Sequence, residues 1–187
     1  IHVVNAYIIP EQDFIDGISR LVDRGIDVRI LTNSLASHDV PAVNSHYKKW
    51  RKPIIEAGAE LYELRADPAI KSRVDTAPVK SKFTGLHTKS VVVDGERVFI
   101  GSMNFDPRSA NINTEMGIII DSPGLGAEMV QLAARDMAPA TAWQVKLDGA
   151  GKLTWVNSDE TVNRQPARNG WQRFMDGFFR ILPKSQL

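Results

Sequence analysis

Cysteine is absent from the 187 residues, which excludes disulfides, iron–sulfur clusters and thiolate zinc and agrees with a reducing compartment. Histidine is scarce: His2, His38, His46 and His87 form no HxH or HExxH pair, so no protein-held metal and no cofactor is expected. Long apolar runs are missing too. Met116 to Ile120 falls far short of the ~20 residues that cross a bilayer, and no charged n-region with an h-region opens the chain. Net charge is only +1, but residues 46 to 89 hold ten Lys/Arg against five Asp/Glu, so that stretch carries +5 and the remainder −4. One face is therefore expected to meet anions. With 43% hydrophobic residues the chain can bury a sizeable core, which excludes a disordered or collagen-like protein.

The periodicity opens as strand, helix, glycine. Ile1 to Ile9 reads as a buried strand; Pro10 starts a helix carrying Phe14, Ile15, Ile18, Leu21 and Val22 at helical spacing, which stops at Arg24-Gly25. A strand over Asp27 to Thr32, a helix from Pro41 to about Ala57 and a strand over Glu60 to Leu64 continue the alternation, as in a sheet covered by helices. Residues 65 to 85 show no period, include Lys71, Arg73, Lys80 and Lys82, and read as an irregular basic loop. A hairpin follows, Leu86 to Val93 and Arg97 to Gly101 across Asp94-Gly95. Thr114 to Asp121 reads as another central strand, Leu125 to Met137 as a helix, and Trp143 to Leu147 with Lys152 to Val156 as a hairpin over Asp148-Gly149. Trp171, Phe174, Met175, Phe178, Ile181 and Leu182 mark an amphipathic last helix. The chain opens at Ile1, inside an apolar run and without an initiator Met, which suggests a preceding segment.

Chemistry concentrates in His87-Thr88-Lys89, Gly101-Ser102-Met103-Asn104 and Glu115. Alternation along a strand turns His87 and Lys89 to one side of the sheet. An imidazole can attack phosphorus or protonate a leaving oxygen while the ammonium offsets charge on the non-bridging oxygens. Ser102 and Asn104 would add neutral donors, and Glu115, on a neighbouring strand, could accept the other imidazole N–H and fix its tautomer.

His-x-Lys, four residues, Asp, six residues, Gly-Ser-x-Asn resembles the HKD motif of the phospholipase D superfamily, matched by His87, Lys89, Asp94, Gly101, Ser102 and Asn104. Asn5 to Pro10 resembles the strand that opens a second catalytic half, the segments Leu31 to Ser37 and Ala57 to Leu64 are similar to bacterial cardiolipin synthases, the C-type above all, and Glu115 in Asn113-Thr114-Glu115 matches the family's orienting acid. The resemblance implies an α/β fold, a mixed and mostly parallel sheet flanked by helices on both faces, with residues 1–187 as a single catalytic half. It implies a metal-independent phosphatidyl transferase with a phosphohistidine intermediate. Its expected partners are phospholipids (phosphatidylglycerol and phosphatidylethanolamine) and a second HKD half, upstream in the same protein or from a second copy. It also implies peripheral contact with the cytoplasmic face of a bacterial inner membrane. Because the chain holds one HKD motif and the family's sites use two, His87 is assigned to general acid–base work. A hydrolase or nuclease working as a homodimer, with nucleic acid as partner, and a silent lobe serving binding or assembly remain open.

Plainer roles stand beside these. Asp94 is fully explained as the first residue of a hairpin turn, and Gly101 serves backbone geometry. Glu115 reads also as a mere strand acid, and Lys48, Lys49, Arg51 and Lys52 as a solvated helix face rather than an anionic-headgroup site. Arg108 reads equally as a phosphate contact or a surface residue. The last helix is expected to pack on the sheet or against the absent half, membrane docking through Phe178 and Phe179 being the lesser reading.

Overall fold

The computed structural model describes residues 1–74, 78 and 81–179. In chain order the elements are β1 (His2–Asn5), α1 (Gln12–Asp23), β2 (Arg29–Asn33), α2 (Pro41–Tyr47), α3 (Arg51–Glu56), β3 (Glu60–Leu64) and α4 (Lys71–Val74). There follow β4 (Lys89–Val93), β5 (Arg97–Gly101), α5 (Pro107–Asn111), β6 (Gly117–Asp121), α6 (Pro123–Asp136), β7 (Ala142–Leu147), β8 (Leu153–Val156), β9 (Thr161–Val162) and α7 (Gly170–Phe178). Lys80, Ile181 and Leu182, part of the expected basic loop and last helix, lie outside the described residues.

The strands form one mixed sheet in the order β6-β5-β4-β1-β2-β3-β7-β8-β9. The expected α/β layering is present, but the balance of the sheet is not mostly parallel. Only β1–β2 and β2–β3 run parallel, joined by the crossover helices α1 and α2–α3; the other pairings are antiparallel. The cause is local: β4–β5 and β7–β8 are hairpins, and tight turns join only antiparallel strands. Asp94 (φ 53°) and Gly95 (φ 69°) make the first turn, closed by the Glu96 N–H donating to Val93 O at 3.1 Å.

Alternation sends neighbouring residues to opposite faces. Val3, Ile30 and Leu61 join a cluster with Ile15, Ile18, Tyr47 and Ile54 under α1 to α3, while Val4 and Leu31 meet Ala133 of α6 and Met137, which caps it, on the other face. Gly126 of α6 lets the helix reach the first hairpin: a Cβ there would lie 2.1 Å from Gly95 O.

Three expectations need correction. The single helix from Pro41 to Ala57 is two, because Pro53 has no N–H for the Lys49 carbonyl and its ring clashes with that turn. The strand over 114 to 121 is shorter, and it is the sheet's edge rather than central, leaving Ile118 and Ile119 exposed. The last helix does not pack through its apolar stripe. It buries Gln172 and Asp176 and exposes Trp171, Phe174 and Phe178.

Part of the reason lies in a buried polar network beside α7. Glu63 accepts hydrogen bonds from Arg51 Nε (2.5 Å), Tyr47 Oη (2.9 Å) and Trp155 Nε1 (2.8 Å). Arg51 reaches Asn44 Oδ1 (3.1 Å) and Gln165 Oε1 (2.9 Å), and both of those residues donate to Asp176. Arg51 is thus a fully buried ion-pair partner and not part of a solvated helix face.

Candidate active site

β1 and β2 end, β4 begins and β5 ends at the same edge of the sheet, so the topology gathers the motif residues at one place. Carboxyl ends of parallel strands are where open α/β sheets bind ligands.

His87 is exposed, on the extended lead-in two residues ahead of β4 rather than within it. Two clamps hold that lead-in. Asn33, the last residue of β2, accepts from the Leu86 N–H (2.8 Å) and donates Nδ2 to Leu86 O (2.9 Å), a side-chain copy of a strand pairing. It also donates to Ala6 O (3.1 Å) and accepts from Ser37 Oγ (3.0 Å). On the other side the Ala6 N–H donates to Thr88 O (3.1 Å).

Lys89 opens β4 opposite Asn5 and is 7% exposed. Its Nζ donates to His87 O (2.8 Å) and lies 5.9 Å from the centre of the Tyr7 ring, which meets the His87 ring edge-on at 6.4 Å. Lys89 and His87 therefore share a neighbour, Tyr7. Burial pulls the lysine below its ordinary pKa, opposed by the negative fields of Glu115, Asp39 and Asp106.

Tyr7 is itself fixed. Its hydroxyl donates to both Asp39 oxygens (2.9 and 3.0 Å), and its ring stacks on His38 at 5.2 Å. Burial and then the Asp39 carboxylate push the phenol up, while His38 and the Tyr7 hydroxyl hold Asp39 well below the carboxylate range. Burial lowers the His38 pKa, opposed by the Asp39 carboxylate, and His38 Nδ1 accepts the Val40 N–H at 3.2 Å.

The Gly-Ser-x-Asn turn is tied down by Asn5, which donates to Met103 O (3.2 Å) and accepts from the Tyr7 and Phe105 amides. Gly101 is required by contact: a Cβ would lie 2.7 Å from Met116 O and 2.8 Å from the Phe99 ring. Ser102 Oγ donates to Glu115 Oε2 at 2.5 Å and accepts the Met116 N–H at 3.0 Å. Asn113 donates to the other Glu115 oxygen (3.2 Å), and Ser102 heads the contacts that lower the Glu115 pKa.

This differs from the expected tautomer lock. Glu115 lies in the loop that enters β6, across from Ser102, and among the described residues it bonds Ser102 and Asn113 rather than His87. The Ser102 hydroxyl proton is correspondingly directed at Glu115. Asn104 is half-buried, with Oδ1 out of water and unpartnered, and it lines a cavity of about 220 Å³ whose walls include Ile9, Phe14, Met103 and Phe105. Asp94 sits at the other end of β4, about 17 Å along the strand from Lys89, in the turn. Arg108 bonds Asn113 Oδ1 (3.1 Å) at the surface.

Asn5, Asn33, Tyr7 and Asp39 were not singled out by spacing. A signal existed for the asparagines: each is a buried amide closing an apolar strand, which must be hydrogen-bonded to something. Among the described residues no three His, Cys, Asp or Glu side chains are grouped to hold a metal ion.

A family model described as "Cardiolipin synthase, PLD-like domain" matches residues 1–137. Cardiolipin synthase C of Escherichia coli K12 is 37% identical over 98% of this chain and 40% of its own length. Cardiolipin synthase A of Cronobacter sakazakii is 29% identical over 67% of this chain and 22% of its own length. The chain thus spans about two fifths or less of these relatives. Among solved structures, the phospholipase D family member Nuc from Salmonella typhimurium aligns with TM-score 0.55 and 19% identity, covering 74% of this chain and 77% of that one. Phosphatidylserine synthase from Haemophilus influenzae aligns with TM-score 0.52 and 18% identity, covering 73% and 32%. Both share the fold.

Proposed function

Because this chain belongs to the phospholipase D-like family of cardiolipin synthases, we propose that residues 1–187 are one catalytic half of a phosphatidyl transferase that forms cardiolipin from phospholipids through a phosphohistidine. The observation that carries the lipid reading is the mainly apolar cavity walled by Ile9, Phe14, Met103 and Phe105, which the motif residue Asn104 also lines. A stretch of acyl chain suits such a wall and a sugar–phosphate chain does not.

In the proposed cycle one imidazole, from a second HKD half, attacks the phosphorus of a phospholipid phosphodiester. A P–N bond forms, the P–O bond to the headgroup alcohol breaks, and the His87 imidazolium gives that oxygen its proton. A primary hydroxyl of the acceptor lipid then returns its proton to His87 as its oxygen displaces the histidine nitrogen. Lys89 offsets charge on the non-bridging oxygens, and Asn104 offers its amide. Ser102 reaches phosphate by exchanging its bond to Glu115. Water would compete with the acceptor, so a closed lipid-filled site favours transfer over hydrolysis.

The second half needs a seat, and the edge strand beside the site offers one. Ile112, Met116, Ile118 and Ile119 are all exposed around β6, flanking Glu115 and Ser102. An exposed apolar edge of this kind invites another sheet or chain. No helix among the described residues is long and apolar enough to cross a membrane; peripheral contact with the inner membrane's cytoplasmic face is part of the proposal.

The test incubates the intact protein with phosphatidylglycerol, with and without phosphatidylethanolamine, and separately with single-stranded DNA. Cardiolipin formation insensitive to chelator is expected. DNA cleavage with untouched lipid would replace this reading with the nuclease one, and an inert monomer would leave a binding lobe.

A further inference from the structure

α7 is fastened by the wrong stripe for an ordinary amphipathic helix. Asp176 accepts from Asn44 Nδ2 (2.6 Å), Lys48 Nζ (2.8 Å) and Gln165 Nε2 (3.0 Å). Gln172 donates to Leu35 O and accepts the Arg168 N–H at 2.9 Å. At 100° per residue, the Trp171, Phe174 and Phe178 stripe lies about 145° from the Gln172 and Asp176 stripe. The aromatics are accordingly 68%, 61% and 55% exposed, with Trp171 and Phe174 stacked at 5.4 Å. The helix cannot roll to cover them, because rolling would strip buried Asp176 of its partners and leave an unpaired charge.

Beside this helix a cavity of about 690 Å³ is lined by Arg164, Arg168 and Arg173, the last from α7 itself. None of the three has a carboxylate within salt-bridge distance among the described residues, whereas Arg51, Arg65 and Arg97 do. Asp67 and Glu160 also line it, but Asp67 is taken by Arg65 at 3.3 Å. Arg168 lies 3.5 Å over the Phe83 ring and donates to His38 O (3.3 Å), and burial lowers its pKa. Three guanidiniums against the Glu160 carboxylate leave the cavity net positive, which favours an anion, and phosphate suits their planar fork.

We propose that α7 docks on a bilayer, with Trp171, Phe174 and Phe178 entering the interfacial layer while Arg164, Arg168 and Arg173, the last about 135° round the helix from that stripe, reach from its flank to the phosphates of anionic phospholipids. The choice of a bilayer over a protein partner rests on the lipid reading above, and on composition. A Trp/Phe stripe next to unpaired arginines matches a membrane interface, unlike the aliphatic edge at β6. Arg168 does not itself touch the motif residues: it bonds His38 O, and His38 stacks on Tyr7, which meets His87.

The test measures partition of the intact protein onto vesicles of phosphatidylcholine with and without phosphatidylglycerol, with no turnover required. Arg164→Gln with Arg173→Gln should weaken binding to the mixed vesicles by about fivefold per residue and leave binding to pure phosphatidylcholine unchanged. Trp171→Ser with Phe174→Ser and Phe178→Ser should weaken both by roughly tenfold or more. Brominated lipid should quench the tryptophan fluorescence of the unaltered protein, and Trp171→Phe, which removes the most exposed indole, should abolish most of that quenching. Unchanged partition in both variants, absent quenching, or loss of self-association with vesicle binding intact would each overturn the proposal. His87→Ala should dock normally; docking by a protein that turns over no lipid would remove the functional reading and leave this face standing.

Discussion

Replacing Asn33 by alanine probes how the fold aims His87. The side chain makes four hydrogen bonds, to Leu86 N, Leu86 O, Ala6 O and Ser37 Oγ, at 2.8 to 3.1 Å. At about 1 kcal/mol each, their loss would cost about 4 kcal/mol; Leu86 is half-buried and can find water, which reduces the expected loss to about 2–3 kcal/mol. The kinetic effect should exceed what unfolding explains. With Leu86 released, the backbone next to His87 keeps the Thr88–Ala6 bond and the Lys89 contact but loses its nearest upstream tie, and a displacement of about 1 Å of a reacting group costs on the order of 100-fold. The assay pairs urea unfolding with lipid turnover measured where the variant is fully folded. Expected is a lower midpoint together with a 30- to 100-fold lower kcat and a nearly unchanged KM, by that same estimate. Full turnover by the folded variant would refute the positioning role, whatever its stability.

Other outcomes follow from the same contacts. His87→Ala removes an exposed imidazole, so turnover should fall by at least about 10²–10⁴-fold while thermal unfolding stays within about 0.5 kcal/mol of the parent. Arg51→Met strands Glu63 in the core and should cost about 3–5 kcal/mol in chemical denaturation, whereas Arg97→Met at the exposed Asp121 pair should be close to neutral. Gly101→Ala puts a methyl group against the Met116 carbonyl and Phe99, so a loss of about 1–3 kcal/mol and impaired turnover are expected. His38 is held neutral by burial, its folded pKa below the unfolded value of about 6.5. The unfolded chain then takes up a proton first, so stability should fall as pH drops below about 6.5, and His38→Phe should flatten that limb of the stability curve.

Much of the site was legible because it is a short-range pattern. His87 to Asn104 is one hairpin with its two ends, and the Asp94-Gly95 turn that folds it is written in the dipeptide. What lay outside the hairpin was not readable. Asn5, Asn33, Tyr7 and Asp39 reach the site only because β1 and β2 run parallel beside β4, a pairing that spacing along the chain does not specify. Glu115 was placed in the right neighbourhood but given the wrong bonding partner, since alternation cannot say where a strand begins and the carboxylate falls in the lead-in to β6, across from Ser102. The apolar stripe of α7 misled for a physical reason: periodicity reports that a helix has two faces, while the buried pairing of Asp176 with Asn44, Lys48 and Gln165 decides which face is turned inward.

Central to the proposed cycle is the passage of phosphorus through an imidazole of a second HKD half facing His87. Rapid alkaline quenching of the intact protein during turnover of phosphate-labelled phosphatidylglycerol, followed by peptide mapping, addresses it directly. The account predicts acid-labile, alkali-stable label on a histidine of an HKD motif; turnover without such label, or label held acid-stably on Ser102, would contradict it.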